Sequence, residues 1–497
     1  MSALISILAA LCAWAMPLVA QQGAFDFARA RAMIDSIMLA DKIPSFAVAV
    51  AKGDRIIWEA ARGYADLERQ IPATPATPYS LASISKPFTA TGIMILVQRE
   101  FVRLRAPVNH YLGGVKVTAR EGSADAMTIE RILTHTAGLP LHYQFFYEDG
   151  GYARPPMDST IRRYAVAVYP PGATYQYSNL GFGLLDYVIS RKSGMPYADF
   201  MRQEIFMPLG LTSTSVGVTY GPNSRAAVRY DNENKPLPYY TFDHPGASEV
   251  YSSAHDLARF GMYHLGTRIP RQRQILAKET LQDMQRDVAV EGPGLIRGLG
   301  WSIRTVLGVR RVSHSGGMPG VSTFLALYPE EQVVVVVLQN KGIRRATEAI
   351  VTELSAAVIP RFASELRKAR ATPPPPPTPV IDSTRLAELH GTWRGYVHSY
   401  ADSIPIALTI AAGTPPLLSL RGAAPVPLMS VALQEGILVG RANVQMSAPD
   451  LARHPHQTLL WLRSHDGLLT GYAAAETNTP RAAYALASYV KLARVSP

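Results

Sequence analysis

The sequence predicts an α+β domain followed by an all-β domain, and three observations predict it. Strand-like runs stand at both ends of residues 21–371, with helical periodicity between them. A run of five prolines in TPPPPPTP (372–379) then divides the chain. Beyond it, short alternating apolar runs recur between turn residues up to the last residues. Strands from both ends of a segment with helices between them imply one sheet closed by the two chain ends around a helical insert. Short strands at regular spacing imply an antiparallel barrel or sandwich.

Each element follows from its own pattern. SFAVAVAKGDRIIWEAARG (45–63) reads as a hairpin turning at Gly53-Asp54. STFLALYPEEQVVVVVLQN (322–340) reads as a second hairpin, whose valine run is apolar on both faces and so is expected to be covered on both. In LGFGLLDYVISRKSG (180–194), Leu180, Leu184, Leu185 and Ile189 repeat at helical spacing and Gly194 stands where a helix C-cap belongs. RATEAIVTELSAAVIPRF (345–362) predicts a closing helix. Five consecutive prolines enforce an extended polyproline II spacer over 372–380. In 381–497 the runs GTWRGYVHSY, IPIALTIAA, GILVGRA, QTLLWLRS, GLLTGYAAA and AYALASYVKLARV each predict a strand.

Composition sets outer limits. Charged residues make up 18% and hydrophobic residues 47% of the 497, a globular balance that excludes a disordered chain. A net charge of +11 favours anionic surroundings such as cell-wall polymer. No Lys/Arg block exceeds two residues and no nucleic-acid motif is present, so a solvated basic surface is expected and no nucleic-acid partner. MSALISILAALCAWAMPLVAQQ carries no charge, is apolar, and has small residues near its end. It reads as a signal peptide over 1–20 cleaved near Ala20, which implies a secreted or periplasmic protein. It lacks a positive start, and its length also suits an uncleaved anchor. Cys12 is the single cysteine, and Leu11 before it is too bulky for a lipoprotein signal. Cleavage would leave neither disulfide nor thiol chemistry.

The chemistry begins in YSLASISKPFTATG (79–92). A helix starting near Ser83 puts Lys86 three residues on, on the same face. Ser85 points elsewhere and Ser80 precedes the helix, so Ser83 alone can share a proton with Lys86. A serine hydroxyl needs a base to attack, and a buried lysine becomes one when desolvation lowers its pKa. The unpaired N–H groups of a helix start can also hold an oxyanion. The pattern is weak alone: SYVK (488–491) repeats it inside a strand-like run, where i and i+3 face opposite sides. Companions are needed. Tyr177-Ser178-Asn179 follows PPGATYQ and precedes a helix. There Tyr177 can relay or accept a proton and Asn179 can bond Lys86 or a substrate amide. His314-Ser315-Gly316 in RRVSHSGGMPG would end a strand, with Gly316 and Gly317 allowing close backbone approach. YDN (230–232) in a polar loop, HLG at His264 in a helix and HDG at His465 in a turn read as decoys.

In this order, S-x-x-K, Y-S-N and H-S-G resemble the motif set of the serine β-lactamase and penicillin-binding protein superfamily. The form is that of its class C-related branch of DD-peptidases, D-aminopeptidases and esterases. ILTHTAGLP (132–140), MPLGLTST (207–214) and YSSAHDLARF (251–260) resemble further phrases of that branch, so the likeness spans about residues 30–360. It implies a β-lactamase-like antiparallel sheet flanked by helices with a helical subdomain. It implies Ser83 as acylated nucleophile, and Lys86 and Tyr177 as a base system whose division of labour stays open. Asn179 would orient substrate and lysine, His314 would stand where β-lactamases carry lysine, and Ser83 and Gly317 amides would form the oxyanion hole, beside Gly316.

Two departures bear on substrate. Histidine at the third motif is mostly neutral at pH 7 and offers a carboxylate less charge than lysine. Ser248-Glu249 replaces a small pair expected to be Gly-Gly, and Glu249 reads as a surface residue. LHYQFFYEDGGY (141–152) can line a cleft or simply pack. His135 and His142 have no third ligand at fitting spacing, so no metal is expected, and no cofactor. LHGTWRGYV (389–397) resembles the opening strand of lipocalin-like barrels attached to some of these peptidases, which can shield the cleft, mediate oligomerisation or bind cell wall. The resulting expectation is a secreted serine hydrolase that cleaves amide or ester bonds of D-residue peptides or small esters through an acyl-enzyme. A β-lactamase proper and a non-hydrolytic penicillin-binding sensor or cell-wall binder are the rivals.

Overall fold

The computed structural model describes residues 25–219, 224–292, 294–372, 383–434 and 436–495; the expected signal peptide and nearly all of the proline run lie outside the described residues. Nine antiparallel strands form the first sheet, and its two ends of chain meet at the centre. Ser45–Lys52 pairs with Val333–Gln339 on one side and with Arg55–Asp66 on the other. The first hairpin turns at Gly53-Asp54, where Gly53 takes φ 60°.

The valine run shows why this sheet needs two covers. Val333 through Val337 are all 0% exposed. Val334 and Val336 join the cluster that contains Phe88 and Phe260 of the helices Ser85–Gln98 and Ala254–His264. Val333, Val335 and Val337 join a second cluster with Ile350, Leu354 and Phe362 on the opposite face. Period-two alternation thus sends neighbouring valines into different cores. The closing segment is two helices, Arg344–Val358 and Pro360–Ala371, rather than the one expected. Pro360 removes a helical N–H and excludes Ile359 from helical geometry, so the first helix stops and Pro360 starts the next.

The second unit is a nearly closed antiparallel barrel running from Gly391–His398 to Ala482–Arg494. The six expected strands are present, and Leu417–Leu420, Val426–Pro427 and Met429–Gln434 add to them. The barrel does not stand apart. Tyr143–Tyr147 of the first unit pairs with the last barrel strand (Gln144 with Tyr484) and with Tyr240–Phe242 on its other edge. Val168 and Tyr169 share an apolar cluster with Leu459, Tyr472 and Tyr489. Asp450 of the barrel accepts from Arg163 (3.1 Å) and from the Tyr164 hydroxyl (2.7 Å).

Candidate active site

Ser83 sits in a tight 3₁₀ turn, Ala82–Ile84, and the α-helix begins at Ser85. Ala82 takes φ 49°, in the left-handed region that L-residues enter at a cost of about 1–2 kcal/mol. Its neighbours hold it there. Leu81 donates its N–H to Val250 O at 2.9 Å and accepts from Thr323 Oγ1 at 2.9 Å. Ser85 Oγ donates to Ala82 O and accepts from Val250 N–H, so this serine is structural.

Lys86 lies on the first turn of the helix and is fully buried. Its Nζ is 3.1 Å from Ser83 Oγ, 2.7 Å from Asn179 Oδ1 and 3.0 Å from Ala247 O. Asn179 is the first residue of the helix Asn179–Ser193, whose N-cap Ser178 accepts from Gly181 N–H. Tyr177, just before the cap, directs its hydroxyl to Ser83 Oγ at 2.9 Å. His135 fixes this tyrosine: its ring packs 4.4 Å from the Tyr177 ring and its Nδ1 accepts from Ser178 N–H at 3.1 Å.

His314 lies within the strand Val309–Met318 rather than ending it. It is 6% exposed, its Nδ1 is 2.8 Å from Ser315 O, and burial lowers its pKa to about 3, so it is neutral. Gly316 is required by contact. A Cβ there would lie 2.0 Å from Leu81 O and 2.2 Å from Thr323 Oγ1. This is how the third motif presses against the turn that carries Ser83. Gly317 and Ser83 line one cavity of about 900 Å³.

Burial drives the two partners of Ser83 in opposite senses. Desolvation, and then the positive charge of Arg297, hold Lys86 well below the usual lysine range. Burial pushes Tyr177 up to about 12. Near neutrality the amine can be neutral while the phenol keeps its proton. The contacts fit the ammonium, which would donate to all three oxygens, and equally the neutral amine. A neutral amine has two N–H bonds, which Asn179 Oδ1 and Ala247 O accept, and one lone pair left for the Ser83 hydroxyl. Tyr177 then donates to Ser83 Oγ, and the chain of donors runs from Tyr177 through Ser83 to Lys86.

Several residues of the cavity carry no sequence signal. Arg297 donates to Tyr175 OH at 2.6 Å and pairs with Glu291 at 2.5 Å. Arg344 starts a helix and places its guanidinium against Gly317, whose Cβ would meet it at 2.8 Å. Trp461, Asn478 and Thr479 of the barrel complete the wall. These positions depend on sheet register and on barrel docking, and no local pattern encodes either. The 141–152 segment does both things expected of it: Tyr143 and Phe145 line the cavity while Phe146 and Tyr147 are buried.

Three readings change. Glu249 is not a surface residue: its side chain is 14% exposed, accepts from Phe242 N–H and faces Arg154. It caps the short helix Pro245–Ser248, which turns it inward. The YDN loop (230–232) contributes to the cavity rim. The fold brings Asp243 and His244 to His142 from about one hundred residues away, so candidate ligands stand there that sequence spacing does not reveal. The other decoys stay apart from Ser83. Ser488 and Lys491 lie on the strand Ala482–Arg494, His264 bonds Thr91 and His465 bonds Thr470.

The beta-lactamase family model matches residues 30–357. Penicillin-binding protein 4* of Bacillus subtilis (strain 168) is 28% identical over 319 residues, covering 59% of this chain and 67% of that protein. The unguisins hydrolase ungD' of Aspergillus campestris is 29% identical over 318 residues, covering 60% of this chain and 58% of that protein. Two solved structures resemble the fold across both units. They are the octameric penicillin-binding protein homologue from Pyrococcus abyssi (TM-score 0.55, 23% identity, 93% of this chain and 100% of that one) and SurE (TM-score 0.63, 20% identity, 94% and 98%). A match over most of the first unit, together with a serine, a buried lysine and a tyrosine converging on one cavity, makes the chain a member of the beta-lactamase family, a penicillin-binding protein-like serine hydrolase.

Proposed function

We propose that Ser83 attacks the carbonyl of an amide or ester in a short substrate, with Lys86 as the base that takes its proton. The observation that carries this reading is the accounting at Lys86 Nζ: two fixed acceptors and one hydroxyl around a buried amine. Ser83 Oγ bonds the carbonyl carbon as its proton passes to Lys86. The tetrahedral oxyanion faces the amides of Ser83 and Gly317, and Tyr177 relays the proton to the leaving amine or alcohol. Water repeats the sequence on the acyl-enzyme and releases the acid.

The favoured substrates are peptides ending in a free carboxylate, with a D-residue at the scissile bond. Neutral His314 offers that carboxylate no charge, but Arg344 lies beside Gly317 on the cavity wall and has no ion-pair partner among the described residues. By their names, one relative binds penicillin and the other hydrolyses unguisins, which supports a hydrolytic reading. Small esters and β-lactams are the competing substrates. Barrel residues in the cavity wall support a preference for short substrates. Export by the first 20 residues, with action at the cell wall, completes the reading, and cell fractionation tests it.

The central test is intact-mass spectrometry after incubation with a fluorophosphonate and with a penicillin, on wild type and Ser83→Ala. One adduct on wild type and none on the variant is expected. A panel of short peptides with D- or L-residues at the C-terminus then ranks substrates. Faster turnover of neutral esters than of every peptide would overturn the peptide assignment.

A further inference from the structure

Buried polar atoms without partners concentrate at one place away from Ser83. His142 follows the 132–140 segment, and Asp243 and His244 link the strand Tyr240–Phe242 to the helix Pro245–Ser248. The three side chains are at most 1% exposed. His142 Nε2 lies 2.9 Å from Asp243 Oδ2, and His244 Nδ1 lies 2.7 Å from Asp243 Oδ1. Asp243 Oδ1 and His244 Nδ1 thus face each other, while His142 Nδ1 and His244 Nε2 have no hydrogen-bond partner. Native interiors rarely leave two such buried ring nitrogens in one cluster. One ligand atom from each residue lies within 4.8 Å of the others. Ligand atoms gathered this closely in a dry site can share one cation in place of the protons that link them.

We propose that His142, Asp243 and His244 bind a divalent transition-metal ion of the zinc class. Two imidazoles and one carboxylate suit such an ion, whereas calcium and magnesium take oxygen ligands. The Tyr164 ring packs 4.6 Å from His142 and the Phe242 ring 4.5 Å from His244, which closes the site to substrate. Its role is therefore structural. Ala247, three residues after His244, gives Lys86 its backbone acceptor, and Gly183 of the Asn179 helix packs so closely on His244 that a Cβ would lie 2.3 Å from its Cβ. An ion here would pin the segment on which the catalytic lysine leans.

The test uses the full chain without an affinity tag, stripped with a chelator, dialysed against Zn²⁺ and measured by elemental mass spectrometry. About one ion per chain is expected, falling below about a tenth in the His142→Ala/Asp243→Asn double variant, with circular dichroism and a urea denaturation curve reporting its folding. X-ray absorption on wild type should show nitrogen and oxygen ligands at about 2.0 Å with scattering from two imidazoles. That measurement decides the matter even if the variant does not fold. Wild type without stoichiometric metal, a double variant that retains it, or a shell without two imidazoles would overturn the proposal.

Discussion

Replacing Lys86 by methionine separates the roles of the two groups around Ser83. Methionine keeps an unbranched apolar chain out to the ε position of a side chain that is fully buried, with sulfur for the δ carbon, and removes the amine. It leaves the Tyr177 hydroxyl 2.9 Å from Ser83 Oγ. If the neutral amine is the base, the loss is that of general-base catalysis, about 10²–10⁴-fold in acylation rate. At 1.36 kcal/mol per tenfold, that is about 2.7–5.4 kcal/mol of barrier. Stability changes through opposing terms. Asn179 Oδ1 and Ala247 O lose a donor, at about 1–3 kcal/mol each, while the desolvation of the amine is relieved. The assay is the second-order rate of fluorophosphonate acylation by intact mass, beside a urea denaturation curve for each protein. A variant that acylates within about tenfold of wild type while remaining folded would refute Lys86 as the base, because even the low end of general-base catalysis exceeds that. The Tyr177→Phe variant should retain acylation better than Lys86→Met and lose more in turnover of substrates with poor leaving groups.

Four further outcomes follow from the same geometry. Acylation should rise with pH as Lys86 loses its proton, and Arg297→Gln should move that limb to higher pH, since removing a neighbouring positive charge makes the ammonium easier to keep; a pH–kcat/KM profile that stays put or moves to lower pH would contradict this. Arg344→Met should lower kcat/KM for carboxylate-ended peptides by about tenfold or more and leave neutral esters nearly unchanged, as for a lost charge-assisted contact. Gly316→Ala should destabilise by about 1–3 kcal/mol or more and slow acylation, because its Cβ would meet Leu81 O at 2.0 Å, two residues before the nucleophile; the urea midpoint and the labelling rate read both. Thr479→Trp, on the barrel side of the cavity, should reduce the ratio of bulky to small ester turnover by about tenfold, a usual penalty for a mismatched pocket, and an unchanged ratio would remove the barrel from specificity.

The amino-acid sequence by itself determined those features whose physics is local. The spacing of Ser83 and Lys86 needs only a helical turn, and the Gly194 cap and the Gly53-Asp54 hairpin need only backbone preferences. The valine run could be read as a doubly covered strand because its composition leaves it no polar face. Ile359-Pro360 is equally legible as a helix break, and two helices stand where one closing helix is expected. Tertiary structure decided the rest, since it depends on distant segments meeting. Arg297 becomes the cation that depresses Lys86 only because its strand hairpin adds to the sheet edge facing Tyr175. Glu249 is half-buried only because it packs against Arg154 and the Phe242 backbone. His142 meets Asp243 and His244 across a strand pair that no local period encodes, and the barrel reaches the cavity through the pairing of Gln144 with Tyr484. Local sequence specifies which atoms can react; the approach of remote backbone and charge sets their protonation and the space in which they act.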